Sequence, residues 1–495
     1  MTKELILILD FGSPYTQLIA QRIRENHVFS RIVPYNVSAK QIKQQKPKGI
    51  IFSGGPTTAC DDKKVPLPDR DIFRLDIPIL GIECGMKIIL RYFGSQIKSA
   101  KFKSPEFPRC ELFIDDTRHL FWQMPNNITC QMGWAYEIKK LPAGFRVTAH
   151  TRDNPVAAVE NSSRKIFAVA FHPEAVATQR GSQILSNFLY KICGCIGTWA
   201  MSSFIKETQD SIKRAVGKSK VILNLNGTLN SYVTALLINK AIRRRLKCIF
   251  IDNGLLLDGE VMEIKKVFGR NFHLNLSCVD RGQRFLHALQ GVIEPEEKRK
   301  IVSNLSAKIF QEETKKLRGA EFLAQGVLYP EISKTQAFTV YNEDPRESTK
   351  RLKPLQPLKD LFEEEVKVIA KELGLSDNII FRQPMPSAGL AIRIIGEVTN
   401  SRLKILREAQ DCLVEEIKAA GIYEQISQSF AILLPMKNII AIRCIASTNG
   451  IIADWVRLPY PVLEKISRRI LNKVKGINRV VYDISPQPPA TIEWE

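Results

Sequence analysis

The chain has 495 residues, 44% hydrophobic and 25% charged. That is the balance of two to four globular domains of about 100–200 residues each, and it excludes wholesale disorder. Seventy-two Lys and Arg against 51 Asp and Glu leave a net charge of +21, a field that attracts nucleic acid, acidic proteins or phosphorylated small molecules.

No apolar stretch reaches the roughly 20 residues that a membrane-crossing helix needs. The opening Met1–Asp10 segment has too short an apolar part for a secretory signal and reads as a buried strand. The ten cysteines are scattered, as reduced thiols in a cytoplasm are. Cys193 and Cys195 form a C-x-C without a second pair at zinc spacing, so no metal site is expected there. The basic runs Arg243–Arg245 and Lys298–Lys300 are short and lack interleaved aromatics, which weighs against nucleic acid. Charge spread over solvated faces is the plainer reading.

In chain order, Leu5–Leu9 reads as a strand, and a helix follows with Leu18, Ile19 and Ile23 on one face. Gly49–Phe52 runs into Ser53-Gly54-Gly55-Pro56, and Ile77–Leu80 runs into Gly81. Strands that end in glycine turns before helices imply a parallel α/β sheet with ligand sites at the strand ends. Phe167–Ala170 is a further strand before Phe171-His172-Pro173-Glu174. A polar helical connector over about 196–218 leads to a second α/β unit. There Val221–Leu223 is a strand, 224–232 a loop, and a helix runs through Val233, Leu236 and Leu237. Cys248–Ile251 is the next strand and ends at Asp252-Asn253-Gly254. From about residue 384 the texture is α+β, with strands expected at Ala391–Ile395, Phe430–Leu434 and Val480–Ile484 around helices at 399–420 and 461–474.

Eight segments together carry a family resemblance. They are Leu9-Asp-Phe-Gly-Ser-Pro-Tyr-Thr-Gln-Leu-Ile-Ala20, Phe52-Ser-Gly-Gly-Pro56, Phe171-His-Pro-Glu174 and Ile251-Asp-Asn-Gly-Leu-Leu256. Glu294-Pro-Glu-Glu-Lys-Arg-Lys300, Phe322-Leu-Ala-Gln-Gly326, Gly389-Leu-Ala-Ile-Arg393 and Pro488-Pro-Ala-Thr-Ile-Glu-Trp-Glu495 complete the set. In this order they resemble bacterial-type, glutamine-dependent GMP synthetases over nearly the whole chain. The resemblance implies an α/β fold in three parts. These are a class I glutamine amidotransferase-like domain at 1–200, an N-type ATP pyrophosphatase-like domain at 201–383 and a C-terminal α+β dimerisation domain at 384–495. It further implies ATP with Mg2+, the ligands XMP and glutamine, and a homodimer. The family reaction converts ATP, XMP and glutamine to GMP, glutamate, AMP and pyrophosphate.

Amide hydrolysis by a thiol needs a nucleophile on a sharp strand-to-helix turn, a histidine base and a carboxylate that orients it. In the family that turn resembles Gly-x-Cys-x-Gly, its glycines giving the room a tight backbone requires. Here it reads Gly81-Ile82-Glu83-Cys84-Gly85-Met86-Lys87, so Glu83 falls on the nucleophile position and Cys84 one residue later. A displacement of about 1 Å can cost on the order of a hundredfold in rate. A glutamate is also a poor nucleophile whose charge opposes a developing oxyanion. Lys87 stands where the family usually has glutamine and could pair with Glu83. His172 and Glu174 hold the base and orienting positions, and Gly55 the position of an oxyanion-hole amide. Two readings remain, a rescued nucleophile at Cys84 and a silent glutaminase with its scaffold intact; the chemistry favours the second.

The family's phosphate loop resembles Ser-Gly-Gly-Val-Asp-Ser-Ser, in which small residues let backbone N–H groups close on pyrophosphate and an aspartate helps to hold Mg2+. The matching stretch is Asn226-Gly227-Thr228-Leu229-Asn230-Ser231-Tyr232, where only Gly227 and Ser231 fit. Thr228 brings a branched side chain, Asn230 loses the charge at the Mg2+ position, and Tyr232 replaces a small hydroxyl. The Asp252-Asn253-Gly254 segment, which the resemblance places near the nucleotide base, is kept. Of the XMP-facing segments, Lys334-Thr335-Gln336-Ala337-Phe338 departs from Lys-[Ser/Thr]-His-His-Asn. Pro384-Met385-Pro386-Ser387-Ala388-Gly389-Leu390 departs from Pro-Phe-Pro-Gly-Pro-Gly-Leu. Gln487 replaces a lysine suited to phosphate. A Gly-Asp-x-Arg-Thr-Tyr segment expected between Met436 and Trp455 is missing, and Arg443 has no assigned role. The pattern fits loss of glutaminase and of most or all synthetase activity; a non-catalytic nucleotide-sensing or interaction protein is the alternative.

Overall fold

The computed structural model describes residues 4–55, 67–100, 109–132, 135–317, 319–329, 352–436, 438–447, 453–486 and 490–494. The chain divides into two compact units, Met1–Phe204 and Ile205–Glu495.

The first unit is built on a nine-stranded sheet. Its strands are β1 Leu5–Asp10, β2 Phe29–Pro34, β3 Gly49–Phe52, β4 Ile79–Ile82, β6 Arg109–Ile114, β7 Asn127–Gln131, β9 Arg146–Thr151, β10 Ala158–Asn161 and β11 Ile166–Val169. A separate ribbon pairs β5 Gln96–Ala100 with β8 Ala135–Lys140. The spatial order is β2-β1-β3-β4-β11-β10-β9-β6-β7. Neighbours from β2 to β11 are parallel and the rest antiparallel. β1, β3 and β4 are near-continuous apolar runs because the middle of the sheet is covered on both faces. β3, β4 and β11 lie side by side, which gathers the turns that follow them at one edge of the sheet, where parallel α/β folds place their ligands.

The second unit holds a five-stranded parallel sheet of β12 Lys220–Asn224, β13 Leu246–Asp252, β14 Leu276–Asp280, β15 Ala320–Ala324 and β16 Lys353–Leu355. Its order is β14-β13-β12-β15-β16. The chain leaves β12 first toward β14 and later toward β16, so the direction of winding reverses between β12 and β15. That reversal opens a crevice beyond the carboxyl ends of the strands. A second sheet joins β17 Gln428–Leu433, β18 Ile439–Ser447, β19 Ala453–Trp455 and β20 Arg479–Asp483, with β18 central. Ile222 and Ile249 of the first sheet share one hydrophobic core with Leu403, Ile442 and Ile466 around the second.

The helices expected at 399–420 and 461–474 are Asn400–Ala419 and Tyr460–Lys473. One expected strand is not a strand. The apolar run Ala391–Ile395 instead falls largely in a 3-10 turn, Gly389–Arg393. Gly389 has a φ of 58°, and a Cβ there would stand 2.5 Å from the Leu255 carbonyl oxygen. The ammonium of Lys298 then takes the carbonyls of Ala391, Ile394 and Gly396 at 3.3, 2.7 and 2.6 Å. These carbonyls are satisfied by a buried cation rather than by a strand neighbour, which hydropathy alone does not reveal. Among the described residues no helix is long and apolar enough to cross a membrane.

Candidate active sites

The first candidate site begins where β4 ends. Glu83 adopts φ 52°, ψ −108°, and the helix Cys84–Tyr92 starts immediately after it. A non-glycine residue held so far from ordinary backbone geometry is strained by about 1–3 kcal/mol and persists only where its surroundings dictate it. Here they do. A Cβ on Gly85 would sit 2.4 Å from the Phe52 carbonyl oxygen, and one on Gly81 would sit 2.8 Å from the Gly85 backbone. The two glycines therefore fix the register of the turn and put Glu83 at its apex. Cys84 is the first helical residue and is fully buried. Lys87 is fully buried one turn on, and its backbone N–H donates to the Glu83 carbonyl at 3.4 Å.

The Glu83 side chain is only 2% exposed. Its Oε2 accepts the Gly55 N–H at 3.1 Å, and its carboxylate also accepts the Cys84 N–H. Gly54 is required beside it, because a Cβ there would stand 2.5 Å from Oε2. Burial pushes the Glu83 carboxyl above the usual carboxylate range, against the Cys84 N–H and the charge of His172.

His172 and Glu174 follow β11. The His172 Nδ1 lies 2.8 Å from Glu174 Oε1, both side chains being buried. The His172 N–H donates to Gln131 O at 3.0 Å, and the Thr178 hydroxyl donates to His172 O at 2.6 Å. Tyr15 packs its ring 4.8 Å from the imidazole, a support that the sequence motif contained without disclosing its role. Burial disfavours the imidazolium, but the Glu174 and Glu83 carboxylates outweigh it and raise His172 above its ordinary value. Glu174 Oε2 is buried without a hydrogen-bond partner among the described residues. Gly55, Glu83, His172 and Glu174 thus form one cluster, with Cys84 directly behind its apex.

The second candidate site lies after β12. Asn226 Oδ1 accepts the Thr228 hydroxyl at 2.9 Å, Thr228 Oγ1 caps Ser231 N–H at 3.3 Å, and the Ser231 hydroxyl returns to Thr228 O at 2.8 Å. The Thr228 and Ser231 hydroxyls, which a phosphate loop would offer to a ligand, are engaged within the loop. Thr228 caps the helix Leu229–Ile242, and Gly227 holds φ 85° before it. A Cβ on Gly326 would stand 2.9 Å from the Asn230 carbonyl carbon, so β15's outgoing turn packs directly on this helix end. Tyr232 is buried with its ring stacked on Phe268 at 4.3 Å, and its hydroxyl has no partner among the described residues. Burial holds that hydroxyl far above the usual phenol range.

Asp252, Asn253 and Gly254 close β13 in a turn. Asp252 Oδ1 accepts Gly254 N–H and Asn253 Oδ1 accepts Leu255 N–H, each at 2.9 Å. Gly254 has φ 71°, and a Cβ there would stand 2.9 Å from the Gly282 Cα. Arg407, which no motif singled out, clamps this turn by donating to Gly254 O at 2.6 Å and Leu256 O at 2.8 Å. Arg443 is fully buried on β18, paired with Asp483, and donates to Ile492 O at 3.0 Å and Thr491 O at 2.9 Å. It anchors the chain's terminal segment. Lys334 to Phe338 and Gln487 lie outside the described residues.

Comparison with known proteins identifies two family models along the chain. The glutamine amidotransferase class-I family matches residues 7–192, and the GMP synthase C-terminal domain matches residues 415–494. A solved GMP synthase subunit from Thermoplasma acidophilum is 28% identical with a TM-score of 0.34, covering 39% of this chain and 96% of its own. A GMP synthase [glutamine-hydrolyzing] from Acetivibrio thermocellus is 43% identical over all of both chains, and one from Halothermothrix orenii is 44% identical over all of both. Similarity of that extent to whole relatives places the chain in the family of glutamine-hydrolysing GMP synthases.

Proposed function

We propose that this chain descends from enzymes converting ATP, XMP and glutamine to GMP, but no longer hydrolyses glutamine and makes GMP from ammonia slowly or not at all. It acts in the cytoplasm as a homodimer. The observation that carries this reading is Glu83 at the apex of the elbow. A thiolate attacks the amide carbonyl, the C–N bond breaks with loss of ammonia to leave a thioester, and water then cleaves the thioester to the carboxylic acid and the free thiol. A carboxylate in its place would have to form an anhydride from an unactivated amide, and its charge opposes the developing oxyanion. His172 and Glu174 keep the geometry of a base and its orienting carboxylate, with no thiol at the apex to deprotonate.

The residues of the second site do not fit Mg2+-bound pyrophosphate. Asn230 offers an amide in place of a carboxylate, and the Thr228 and Ser231 hydroxyls are engaged within the loop. The Asp252–Gly254 turn, by contrast, is fully formed, which favours a second reading: a nucleotide-binding regulatory protein without turnover.

Two assays on the purified chain test the proposal. Glutamate release from glutamine should not exceed a no-enzyme control. GMP formation from XMP, Mg-ATP and saturating ammonium should be absent or slow. Brisk GMP formation would overturn the argument from the loop, and glutamate release would overturn the argument from the elbow. Saturable ATP or XMP binding without product would support the nucleotide-binding reading.

A further inference from the structure

The Glu83 carboxylate does more than displace a thiol. Two backbone donors converge on it, Gly55 N–H at 3.1 Å from the turn after β3 and Cys84 N–H from the first residue of the helix. One N–H from the residue after the elbow apex and one from a neighbouring strand's loop is the arrangement by which an elbow holds an oxyanion. In this chain the Glu83 carboxylate already receives those donors.

The covalent geometry agrees. In a cysteine thioester the atoms leading from Cα are Cβ, Sγ and the acyl carbon with its oxygen. In glutamate they are Cβ, Cγ and Cδ with its oxygens. The carboxyl carbon therefore stands in for an acyl carbon, and Oε2 stands in for the oxygen that an oxyanion hole stabilises. Gly54 has no Cβ to obstruct that oxygen, and the 2% exposure of Glu83 leaves the group closed off from solvent.

We propose that Glu83 is a built-in acyl-enzyme mimic, whose carboxylate occupies the oxyanion hole permanently and bars a γ-carboxamide from it. The inference rests on the assignment of the elbow made under the proposed function. It adds that the amidotransferase unit is held in one fixed, occupied state. Restoring room there requires removal of this side chain, not merely supply of a thiol nearby.

Acetate is the probe. Glu83→Ala removes Cγ and the carboxylate, and acetate has the shape and charge of what is missing. With full-length chain labelled with 15N at glycine and cysteine, the Gly55 and Cys84 amide protons should move upfield in Glu83→Ala. Acetate should return both saturably and raise the variant's thermal midpoint, while leaving the unmodified chain unchanged. Glu83→Gln keeps the shape without the charge and should give a smaller upfield shift; it carries the test if the alanine variant does not fold. Unchanged amides in a folded variant would overturn the proposal. So would failure of acetate to move either amide, or an equal acetate response in the unmodified chain. Glutamate release by the unmodified chain would refute both the loss of hydrolysis and the exclusion of the γ-carboxamide, whereas unchanged amides without release would refute the occupied hole alone, so the two failures are read separately.

Discussion

The two candidate sites are both turns at strand ends, yet they are held by different forces. The elbow in the first unit is fixed by backbone crowding, with Gly81, Gly85 and Gly54 leaving no room for any other trace. Any residue placed at its apex is forced into the same strained geometry, as Glu83 is. The frame of the second unit is held by side chains. Lys298 grips three carbonyls beside the Gly389–Arg393 turn, Arg407 grips two at the Asp252–Gly254 turn, and Arg443 grips two of the terminal segment. In the Asn226–Ser231 loop the side chains and backbone bond one another instead. Crowded backbone fixes a turn whatever its apex carries, whereas a frame of side chains depends on each of its partners.

The largest expected effect follows from the preserved geometry. Glu83→Cys combined with Cys84→Tyr should bring glutamate release from background to on the order of a thousandfold above it, since loss of a nucleophile alone can cost up to about 10^6 in such sites. Release is read by coupled glutamate oxidation. No gain would break the comparison, because it would mean that damage reaches past the apex, Lys87 being the nearest changed residue. The corresponding repair of the loop meets an opposing term. Tyr232→Ser, made to restore a small hydroxyl, removes a buried ring stacked on Phe268 and should cost about 3–5 kcal/mol.

Next in size is the side-chain frame itself. Arg443→Met leaves Asp483 buried without its cation, and Asp483→Asn leaves Arg443 likewise; each should lower stability by about 3–5 kcal/mol in denaturant titrations. Burial would raise Asp483, but hydrogen bonds from Ser485 and Trp494 and the Arg443 charge prevail, so its carboxyl sits below the usual range. A depressed carboxylate contributes in full above its unfolded value near 4, and the contribution fades as pH falls through the folded value. Asp483→Asn should accordingly flatten the acid side of the stability curve. A variant that kept the slope would place the acid sensitivity elsewhere.

Lys298 gives a smaller effect of the opposite kind. Burial, helped by Arg402, pushes its ammonium down to about 8. The unfolded lysine titrates near 10.4, so between pH 8 and 10 the unfolded chain binds the extra proton and stability rises with pH. The gain should be about 2–3 kcal/mol across that window, and Lys298→Met should abolish it. An unchanged slope would mean that Lys298 keeps its proton in its cage of carbonyls and that the frame is stronger than burial implies.

This division also explains what could be read from the sequence. The parallel sheets were legible because buried strands such as Leu5–Asp10 are continuous apolar runs closed by glycine turns. The elbow register was legible because two glycines bracket it at fixed spacing. Arg407 and Arg443 were not, since a buried arginine clamping carbonyls looks in sequence like any arginine of a basic chain. The same gap turned Ala391–Ile395 into an expected strand: its hydropathy is right, but Lys298, about a hundred residues earlier, satisfies its carbonyls. Cross-chain partners of this kind leave no local periodicity.

The smallest predicted effect is also the most discriminating for the loop. The Tyr232 hydroxyl is buried and has no partner among the described residues. A desolvated, unsatisfied hydroxyl costs about 1–3 kcal/mol, while the ring's stacking on Phe268 is kept by phenylalanine. Tyr232→Phe should therefore be neutral or stabilising by up to about 1 kcal/mol, read as an unchanged or raised thermal midpoint. Were the hydroxyl instead the loop's working donor to a bound nucleotide, the substitution would weaken ATP binding severalfold while leaving the empty chain alone. Measuring the midpoint with and without ATP separates the two. Equal midpoint gains in both conditions would show that Tyr232 has become a core residue, and that the loop's first helical turn now serves packing rather than phosphate.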